Sequence, residues 1–462
     1  MLAHDDTIAA IATPPGVGGI GIVRISGPGA RGIRRALFRS ETTDQPPKSH
    51  HLYHGNIVSP ETDGTIDEVL ISLMKGPHSY TGEDVLEIHC HGGHLILQAV
   101  LNEVIKAGCR PAQPGEFTKR AYLNGRMDLS QAEAVMDLIT ARTDRGRALA
   151  LAGVKGSLSE ILRSLRSDLI DILSSLESTI DFNEEDVSPS PAAKETLPTD
   201  LEDVISRITG ILATYREGKL FRDGLNVVIT GRPNVGKSSL LNRLLGERRA
   251  IVTPIPGTTR DFIEETINIG GIPITLTDTA GVRKTTETIE KEGIAFVWEK
   301  ALAADMVIIL IDGSVSLTDE DAEVIDRNRE KRAVLAVNKS DLQRRVTDAQ
   351  LGELMPGVQP LWISAKYGDG IAELEEQIAA TAGSGGDDMG SDVILANLRH
   401  KTALEKTAAS LAAAHAILSR GNFPELAAFD LKEALDHLGD IAGETTAEDV
   451  LDRIFSTFCV GK

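Results

Sequence analysis

Cysteine, aromatic residues and positive charge are all scarce in this sequence. Its 462 residues include 3 cysteines, and aromatic residues make up 4%. Three cysteines are too few for a disulfide framework, which favours a reducing, cytoplasmic setting. The formal net charge of −20 excludes a protein that coats nucleic acid with a generally basic surface, because such binding neutralises phosphates with Lys and Arg. If RNA is a partner, a local basic patch or a basic second protein must supply the contacts.

Long apolar runs and targeting signals are also missing. Residues 306–311 form an apolar run far shorter than the roughly 20 residues that span a bilayer, so no transmembrane helix or membrane partner is expected. Residues 1–7 carry two aspartates and no basic stretch, so no signal peptide is expected. A chain of 462 residues has room for roughly two to four domains.

Composition divides the chain into segments of different character. Residues 1–121 alternate short apolar runs with Gly and Pro, which predicts an N-terminal α+β domain. Residues 219–382 alternate apolar strands with amphipathic helices, which predicts a parallel-rich, Ras-like α/β domain. Residues 122–218 and 383–462 have helical periodicity, so we expect a multidomain α/β and α protein whose α/β domain is inserted into an all-helical domain. In the first domain we predict strands at 7–13, 19–25, 69–74 and 85–89 and helices at 31–38 and 95–107.

The helical segments carry their own boundary signals. Ser130 and Glu133 have the spacing of a capping box and predict the start of a long helical stretch. Its leucines and isoleucines recur at helical spacing through residue 176, as expected of core or dimer surface. Three prolines in residues 188–200 predict a break before a further helix at 201–217. Residues 381–392, rich in Gly, Ser and Asp, predict a linker.

A phosphate-binding loop follows an apolar strand in the α/β domain. Residues 231–238 read G-R-P-N-V-G-K-S, which fits G-x-x-x-x-G-K-[ST] between a strand and a helix. Gly231 and Gly236 allow backbone N–H groups to surround phosphates, Lys237 reaches the outer phosphates, and Ser238 ligates Mg²⁺. The other residues expected to contact the nucleotide here are Asn234, Val235 and Ser239.

A second motif selects the base. Residues 338–341 read N-K-S-D, and Ser364 and Ala365 follow the next predicted strand. The carboxylate of Asp341 can accept from both N1–H and the exocyclic amine of guanine, a donor pair that adenine lacks. Asn338 and Lys339 complete the motif, so the predicted ligand is GTP.

Two segments between these motifs have the order of GTPase switches. Asp278 is placed for the Mg²⁺ shell, and Gly281 for a backbone N–H to the γ-phosphate. Thr259 precedes them and can close on Mg²⁺ when the γ-phosphate is present. Val282 stands where Ras-like proteins have a water-positioning Gln, so hydrolysis must use another arrangement.

Beyond these motifs, nearly the full chain resembles the MnmE (TrmE) family of tRNA-modifying GTPases, within the TrmE-Era-EngA-YihA-Septin-like superfamily. Five segments outside the α/β domain support the resemblance. They are A-T-P-P-G (12–16), G-G-I-G-I-V-R-I-S-G (18–27), Y-T-G-E-D-V-L-E (80–87), A-Y-L-N-G-R (121–126) and F-C-V-G-K (458–462).

The resemblance implies a GTPase that helps to install an aminomethyl or carboxymethylaminomethyl group at C5 of wobble uridine in tRNA. It implies a tetrahydrofolate one-carbon donor, in 5,10-methylene or 5-formyl form, bound in an N-terminal domain that also dimerises. The folate contacts would be Arg24, Glu87, Arg126 and Lys462. Which cation meets which end of the folate stays open, and Cys459 is either a reactive thiol or a buried cysteine of the tail.

The implied partners are a second copy of the chain and the FAD-dependent protein MnmG (GidA), which together form a heterotetramer. FAD would lie on that partner, because no G-x-G-x-x-G in a βαβ context occurs in this chain.

The resemblance also implies a K⁺ ion in hydrolysis and dimerisation of the GTP-binding domains. Its ligands would be Asn234, Thr253, Ile255 (through its backbone carbonyl) and Thr258. The water-orienting carboxylate would be Glu290; the alternative is that Glu290 is a solvated helix residue and that Asn234 only caps a turn.

Two further alternatives remain at this point. The histidines and cysteine at residues 89, 90, 91 and 94 could bind metal, but their spacing fits no zinc pattern and favours a structural or folate-proximal role. His50, His51 and His54 are expected in a solvated loop. The rival function is an RNA-binding ribosome-assembly GTPase that performs no covalent chemistry.

Overall fold

The computed structural model describes residues 6–40, 47–181, 191–247, 264–278, 304–383, 394–420, 423–444 and 446–462. The chain divides into two compact units. The first comprises Met1–Met136, Gly153–Ser167 and Leu435–Lys462, and the second comprises Asp137–Ala152 and Asp168–Ala434.

The strands of the described residues are β1 (Ile8–Ile11), β2 (Gly18–Ser26), β3 (Phe38–Arg39), β4 (Leu52–Val58), β5 (Thr65–Met74), β6 (Val85–Gly92), β7 (Arg110–Pro111), β8 (Leu225–Thr230), β9 (Glu264–Ile269), β10 (Ile272–Asp278), β11 (Met306–Asp312), β12 (Ala333–Asn338) and β13 (Leu361–Trp362). The helices are α1 (Ala30–Leu37), α2 (His94–Lys106), α3 (Glu116–Leu123), α4 (Leu129–Thr140), α5 (Asp144–Lys155), α6 (Ser157–Asp181), α7 (Pro191–Ala213), α8 (Tyr215–Asp223), α9 (Lys237–Glu247), α10 (Asp319–Arg327), α11 (Asp348–Leu354), α12 (Ile371–Ala382), α13 (Leu398–Ser419), α14 (Pro424–Ala442) and α15 (Glu448–Ser456).

The first unit contains a mostly antiparallel sheet in the order β3-β4-β5-β6-β2-β1-β7. Its strands alternate inward and outward residues, and Val69, Ile71 and Leu73 of β5 are buried. Burying every second side chain stabilises this register, since a one-residue slip would expose the whole apolar set. The strands and helices predicted for this domain are confirmed, but His54 lies in β4 and not in a loop.

The second unit contains the sheet β13-β12-β11-β8-β10-β9, in which only β9 is antiparallel to its neighbour. Every residue of β11 is buried, as expected of a central strand covered on both faces. The carboxyl ends of β8 and β12 lie at the same edge, so the loops that follow them meet there. The predicted α/β domain is confirmed.

The predicted capping box at Ser130 and Glu133 is wrong by two residues. The carboxylate of Asp128 accepts the Gln131 N–H (2.9 Å), and Gln131 Oε1 accepts the Asp128 N–H (3.0 Å). Ser130 therefore lies inside the first turn of α4, where its hydroxyl donates to Asp128 (2.7 Å). An aspartate two residues earlier offers a stronger acceptor for the free N–H groups of the helix start.

The long helical pattern is divided more finely than predicted. It forms α4, α5 and α6, and Gly156 (φ +89°) separates the last two in a conformation that favours glycine. The single helix expected at 201–217 is two helices, α7 and α8. The expected proline break is wrong from residue 191 onward, because α7 runs through Pro198, which lacks the N–H that other helical residues donate.

The expected packing between the two helical segments is confirmed for α13, whereas α15 packs against α3 of the first unit. Within the second unit α13 packs against α7, and Thr214 Oγ1 accepts the N–H of Leu395 (2.9 Å). The part of the predicted linker at 384–392 lies outside the described residues. Across the described ranges, no helix has the length and apolar character needed to cross a membrane.

Candidate functional site: a nucleotide site and a second polar cluster

The loop between β8 and α9 has the backbone of a phosphate-binding loop. Gly231 (φ +155°), Asn234 (φ +63°) and Gly236 (φ +105°) all adopt positive φ. A Cβ on Gly236 would lie 2.3 Å from Asn338 Nδ2, and one on Gly231 would lie 2.3 Å from the Leu310 carbonyl oxygen. Both positions therefore require glycine, and this is the backbone conformation of a loop that curls around phosphates.

Lys237 lies at the start of α9 and folds back over this loop. Its Nζ donates to the carbonyl oxygens of Gly231 (2.7 Å) and Arg232 (2.9 Å). Ser238 follows it in the first helical turn and is exposed. The positive end of the helix dipole and the ammonium group together favour an anion at this point.

Asn338, at the end of β12, joins the phosphate loop to the base loop. Its Nδ2 donates to the Val235 carbonyl (2.8 Å), and its Oδ1 accepts the Ala365 N–H (2.9 Å). The Ser364 hydroxyl donates to Asp341 Oδ1 (2.7 Å), which orients that carboxylate. The structure thus brings together five residues that the sequence predicted to read GTP: Val235, Asn338, Asp341, Ser364 and Ala365.

Lys339 of the same motif pairs with Asp312 at the end of β11. The two charged groups are 2.6 Å apart. Burial opposes ionisation of Asp312, but the Lys339 ammonium and hydrogen bonds from Ser314 outweigh it and lower the pKa of the carboxyl. Asp312 is therefore a fixed negative charge that holds Lys339 against the sheet edge.

Two arginines that the sequence motifs did not single out, Arg232 and Arg243, tie the nucleotide-binding loops to their surroundings. Arg232 Nε lies 3.1 Å from Asp321 Oδ1 of α10, whose side chain is 2% exposed. Arg243 of α9 donates to the carbonyl oxygens of Ala365 (3.2 Å) and Lys366. Thr318 and Asp321 have capping-box spacing, which predicts the start of α10 but not the contact of its carboxylate with the phosphate loop.

Several predicted GTPase residues lie outside the described residues. They are Thr253, Ile255, Thr258, Thr259, Gly281, Val282 and Glu290. Asp278 ends β10, next to β8 in the sheet.

A second cluster occupies the first unit, on the sheet face opposite the core. Arg24 Nε and Glu87 Oε1, on paired residues of β2 and β6, are 2.9 Å apart. The Arg24 guanidinium also lies 5.6 Å from the centre of the Tyr80 ring. The neighbouring His89 lowers the pKa of Glu87, and Arg24 lowers it further. Burial acts in the opposite direction but does not outweigh these two groups. Glu87 therefore remains an ionised acceptor across the neutral range.

The C-terminal tail docks onto this cluster. The carbonyl oxygen of Gly461 accepts from Arg24 Nη1 (3.2 Å), and that of Lys462 accepts the Phe117 N–H (3.2 Å). Burial lowers the pKa of the half-buried Lys462 ammonium, and the neighbouring Arg24 adds to this effect. Cys459 is exposed, so its alternative as a buried tail cysteine is wrong.

The other predicted residues of this cluster are less closely joined. Arg126 lies against Gly82, in the turn that carries Tyr80, and does not pair directly with Arg24 or Glu87 among the described residues. Arg120, which the sequence did not single out, supports this turn through an ion pair with Glu83 (3.2 Å).

The metal alternative for the histidine segment finds no support in the described ranges. No group of three or more possible His, Cys, Asp or Glu ligands is assembled within them. Cys90 faces the core, whereas His91 faces outward and pairs with Asp67 (2.7 Å).

The parallel-rich sheet, the phosphate loop and the guanine-selective loop define a Ras-like GTP-binding protein. Comparison with known families refines this class. A family model of the MnmE helical domain matches residues 129–459, and one of the GTP-binding protein TrmE N-terminus matches residues 7–126. The chain belongs to the MnmE family of tRNA modification GTPases, and it is a GTP-hydrolysing enzyme of tRNA modification.

Curated relatives cover essentially the whole chain. A tRNA modification GTPase MnmE of Syntrophus aciditrophicus is 53% identical over 457 residues, with 99% of both chains covered. Those of Geobacter sulfurreducens (46%, 99% of both chains) and Natranaerobius thermophilus (43%, 99% of this chain and 100% of the relative) match over similar lengths.

Proposed function

We propose that this protein hydrolyses GTP and binds a folate one-carbon donor during the modification of C5 of wobble uridine in tRNA. The group installed is aminomethyl or carboxymethylaminomethyl. The protein works as a homodimer within a heterotetramer with the FAD-dependent protein MnmG, in the cytoplasm. The observation that carries this proposal is the docked tail, which places Lys462 beside Arg24 and Glu87 in a chain of this family.

The residues of this cluster fit a reduced folate. The Glu87 carboxylate is an ionised acceptor for the N–H donors of a pterin ring, and its pKa is lowered by His89 and Arg24. Lys462 and Arg24 are cations suited to the carboxylates of the glutamate tail. When bound, such a folate supplies the carbon; the role of these three residues is to orient it. Arg126 would then contact the folate from the Tyr80 turn.

Redox chemistry belongs to the partner in this proposal. Forming a C–C bond at C5 from a folate carbon needs a redox cofactor and a base presented outside its stack. The G-x-G-x-x-G at residues 27–32 follows β2 and opens α1, but both described neighbours of β2 in the sheet are antiparallel, so it lacks the parallel βαβ unit of a dinucleotide-binding fingerprint. Flavin therefore lies on MnmG.

The nucleotide site fits Mg²⁺ and K⁺ as hydrolytic cofactors. The exposed Ser238 stands at the first turn of α9, and its hydroxyl is a hard oxygen ligand for Mg²⁺. Asn234 is exposed on the left-handed turn of the phosphate loop, so its amide oxygen is available to K⁺. A cation here neutralises charge that develops between the β- and γ-phosphates, which is the largest requirement of phosphoryl transfer. Glu290 would orient the water, and Thr253, Ile255 and Thr258 would complete the K⁺ shell.

The proposed function is tested by mass spectrometry of tRNA nucleosides. Cells that lack this protein should lose C5-modified wobble uridine, and the wild-type gene should restore it. Retention of the modified nucleosides in the deletion strain would contradict the proposal.

The folate site has its own test. Calorimetry with 5-formyltetrahydrofolate should show binding to the wild-type chain and at least tenfold weaker binding to Glu87→Gln, because the substitution removes an ionic acceptor. His91→Gln, on the same strand but paired with Asp67, is the matched control. Equal affinity of Glu87→Gln and wild type would contradict the assignment.

A further inference from the structure

One edge of the first unit is strongly basic although the chain is acidic. Helix α1 buries Ala30, Ile33 and Leu37, exposes Arg31 and Arg35, and leaves Arg34 half-buried. In residues 30–54 the basic residues are Arg31, Arg34, Arg35, Arg39 and Lys48, against the acidic Glu41 and Asp44. This excess of positive charge stands against a net charge of −20 for the chain.

Internal pairs neutralise only part of this charge. Arg31 pairs with Asp84, its Nη2 lying 3.0 Å from Oδ1. Within the described ranges, neither Arg34 nor Arg35 forms an ion pair. Burial lowers the pKa of Arg34, and so does the like charge of the adjacent Arg35. Among the described residues, the two guanidinium groups therefore carry two positive charges that no carboxylate pairs with.

Local contacts hold a third cation at the same place. Arg39 Nη1 donates to the carbonyl oxygens of Arg35 (3.0 Å) and Ala36 (3.1 Å), which fixes it over the end of α1. We call Arg34, Arg35 and Arg39 the α1 basic surface.

We propose that the α1 basic surface binds the phosphate backbone of tRNA. Arginine and lysine side chains on an exposed helix contact phosphate oxygens without reading sequence, and each contact releases a condensed counterion. The surface supplies the local basic patch that an acidic RNA-modifying enzyme needs. It rests on the proposed function, since tRNA is the substrate named there.

The structure favours RNA over an anionic membrane as the partner. Membrane-surface helices insert an apolar face beside their basic residues. The apolar face of α1 is already buried in the core of the first unit, through Ile33 and Leu37. Helix α1 therefore presents charge and hydrogen-bond donors but no apolar face that could insert into a membrane.

The test is the salt dependence of tRNA binding by the full-length chain. Binding of fluorescently labelled tRNA is measured between 50 and 200 mM NaCl for wild type and for Arg34→Gln/Arg35→Gln. If both arginines contact phosphates, the slope of log K against log salt should become less steep by about 1.5, at roughly 0.7–0.9 per contact. GTP hydrolysis should be unchanged, because α1 and the described nucleotide-binding loops belong to different compact units.

A matched control removes two positive charges elsewhere in the same unit. Lys155→Gln/Arg163→Gln alters two exposed helical residues and should leave the slope unchanged. Arg35→Gln alone, at a fully surface-facing position, should change the slope by about half as much as the double variant, which guards against misfolding of that variant. Absence of tRNA binding by the wild type, or equal slopes for all variants, would overturn the inference. A different result would contradict the proposed function, namely retention of modified wobble uridine in cells that lack the protein.

Discussion

A single carboxylate, Asp341, decides which nucleotide the second unit accepts. It is oriented by the Ser364 hydroxyl at 2.7 Å, in a loop anchored by Asn338. Because guanine presents two adjacent donors, an ionised acceptor satisfies both and an amide satisfies only one.

Asp341→Asn should therefore weaken GTP binding by about 3 kcal/mol, roughly 100-fold, and shift preference toward xanthosine triphosphate. The measurement is competition of the two nucleotides against a fluorescent GTP analogue. Ser340→Ala is the control, because this residue uses its backbone N–H to reach Ile363. Wild-type GTP affinity in Asp341→Asn would show that another residue reads the base.

A second residue-scale prediction concerns the ion pair between Arg232 and Asp321. The Asp321 side chain is 2% exposed and also closes the capping box of α10 with Thr318. Removing it deletes a cap and leaves Arg232 without its buried partner, so Asp321→Ala should destabilise this domain by about 2–4 kcal/mol.

Urea unfolding followed by tryptophan fluorescence measures this effect, since both tryptophans, Trp298 and Trp362, lie in residues 219–382. Asp319→Ala removes an exposed charge from the same first turn and should cost under about 1 kcal/mol. Equal unfolding midpoints for the two variants would mean that the ion pair contributes nothing.

At the scale of elements, helix α15 and the C-terminal tail pack together against α3 and the turn that precedes it. Gly115 (φ +67°) begins the turn before α3, and its N–H donates to the Cys459 carbonyl (3.4 Å). Lys119 of α3 pairs with Asp452 of α15 (2.5 Å), while Phe455 and Phe458 are buried beside Leu129. A chain terminus is usually frayed, and these contacts are what hold this one in place.

Deleting residues 459–462 should abolish wobble-uridine modification and leave GTP hydrolysis within about twofold of wild type. The reason is that the tail completes the cluster of Arg24 and Glu87, whereas the nucleotide loops belong to the other compact unit. Complementation with nucleoside mass spectrometry and a phosphate-release assay measure the two activities. A matched variant, Val460→Ala, changes an exposed side chain and should keep both. Parallel loss of both activities would indicate a purely structural tail.

At the scale of the whole molecule, hydrolysis should depend on the monovalent cation and on a second copy of the chain. Val282 stands where Ras-like proteins have a water-positioning amide, and the K⁺ proposed above would neutralise part of the charge that develops in the transition state. We expect turnover at least tenfold faster in K⁺ than in Na⁺ at equal ionic strength, and a specific activity that rises with protein concentration.

Asn234→Ala should remove the difference between the salts, and Glu290→Ala should slow hydrolysis with little change in GTP affinity. Steady-state phosphate release and nucleotide binding measure the two quantities. Pro233→Ala, beside Asn234 in the loop, is the control that should keep the preference for K⁺. Equal wild-type rates in both salts would contradict this account.

Much of the molecule could be predicted from sequence because its signals are local. The phosphate loop needs glycine at two positions, and the guanine loop needs a carboxylate at one, so residues 231–238 and 338–341 are recognisable without coordinates. The predictions for the start of α4 and for a break at Pro198 were wrong. Each depends on a small difference in free energy between alternative local conformations.

By itself, the sequence determined the fold classes, the nucleotide and the family, since periodicity and short motifs depend on residues close along the chain. Tertiary structure alone decided which distant residues meet. It placed Gly461 against Arg24, 437 residues apart, and Asp321 against Arg232. Such contacts depend on how strands and helices pack after they form, and no local pattern encodes that packing.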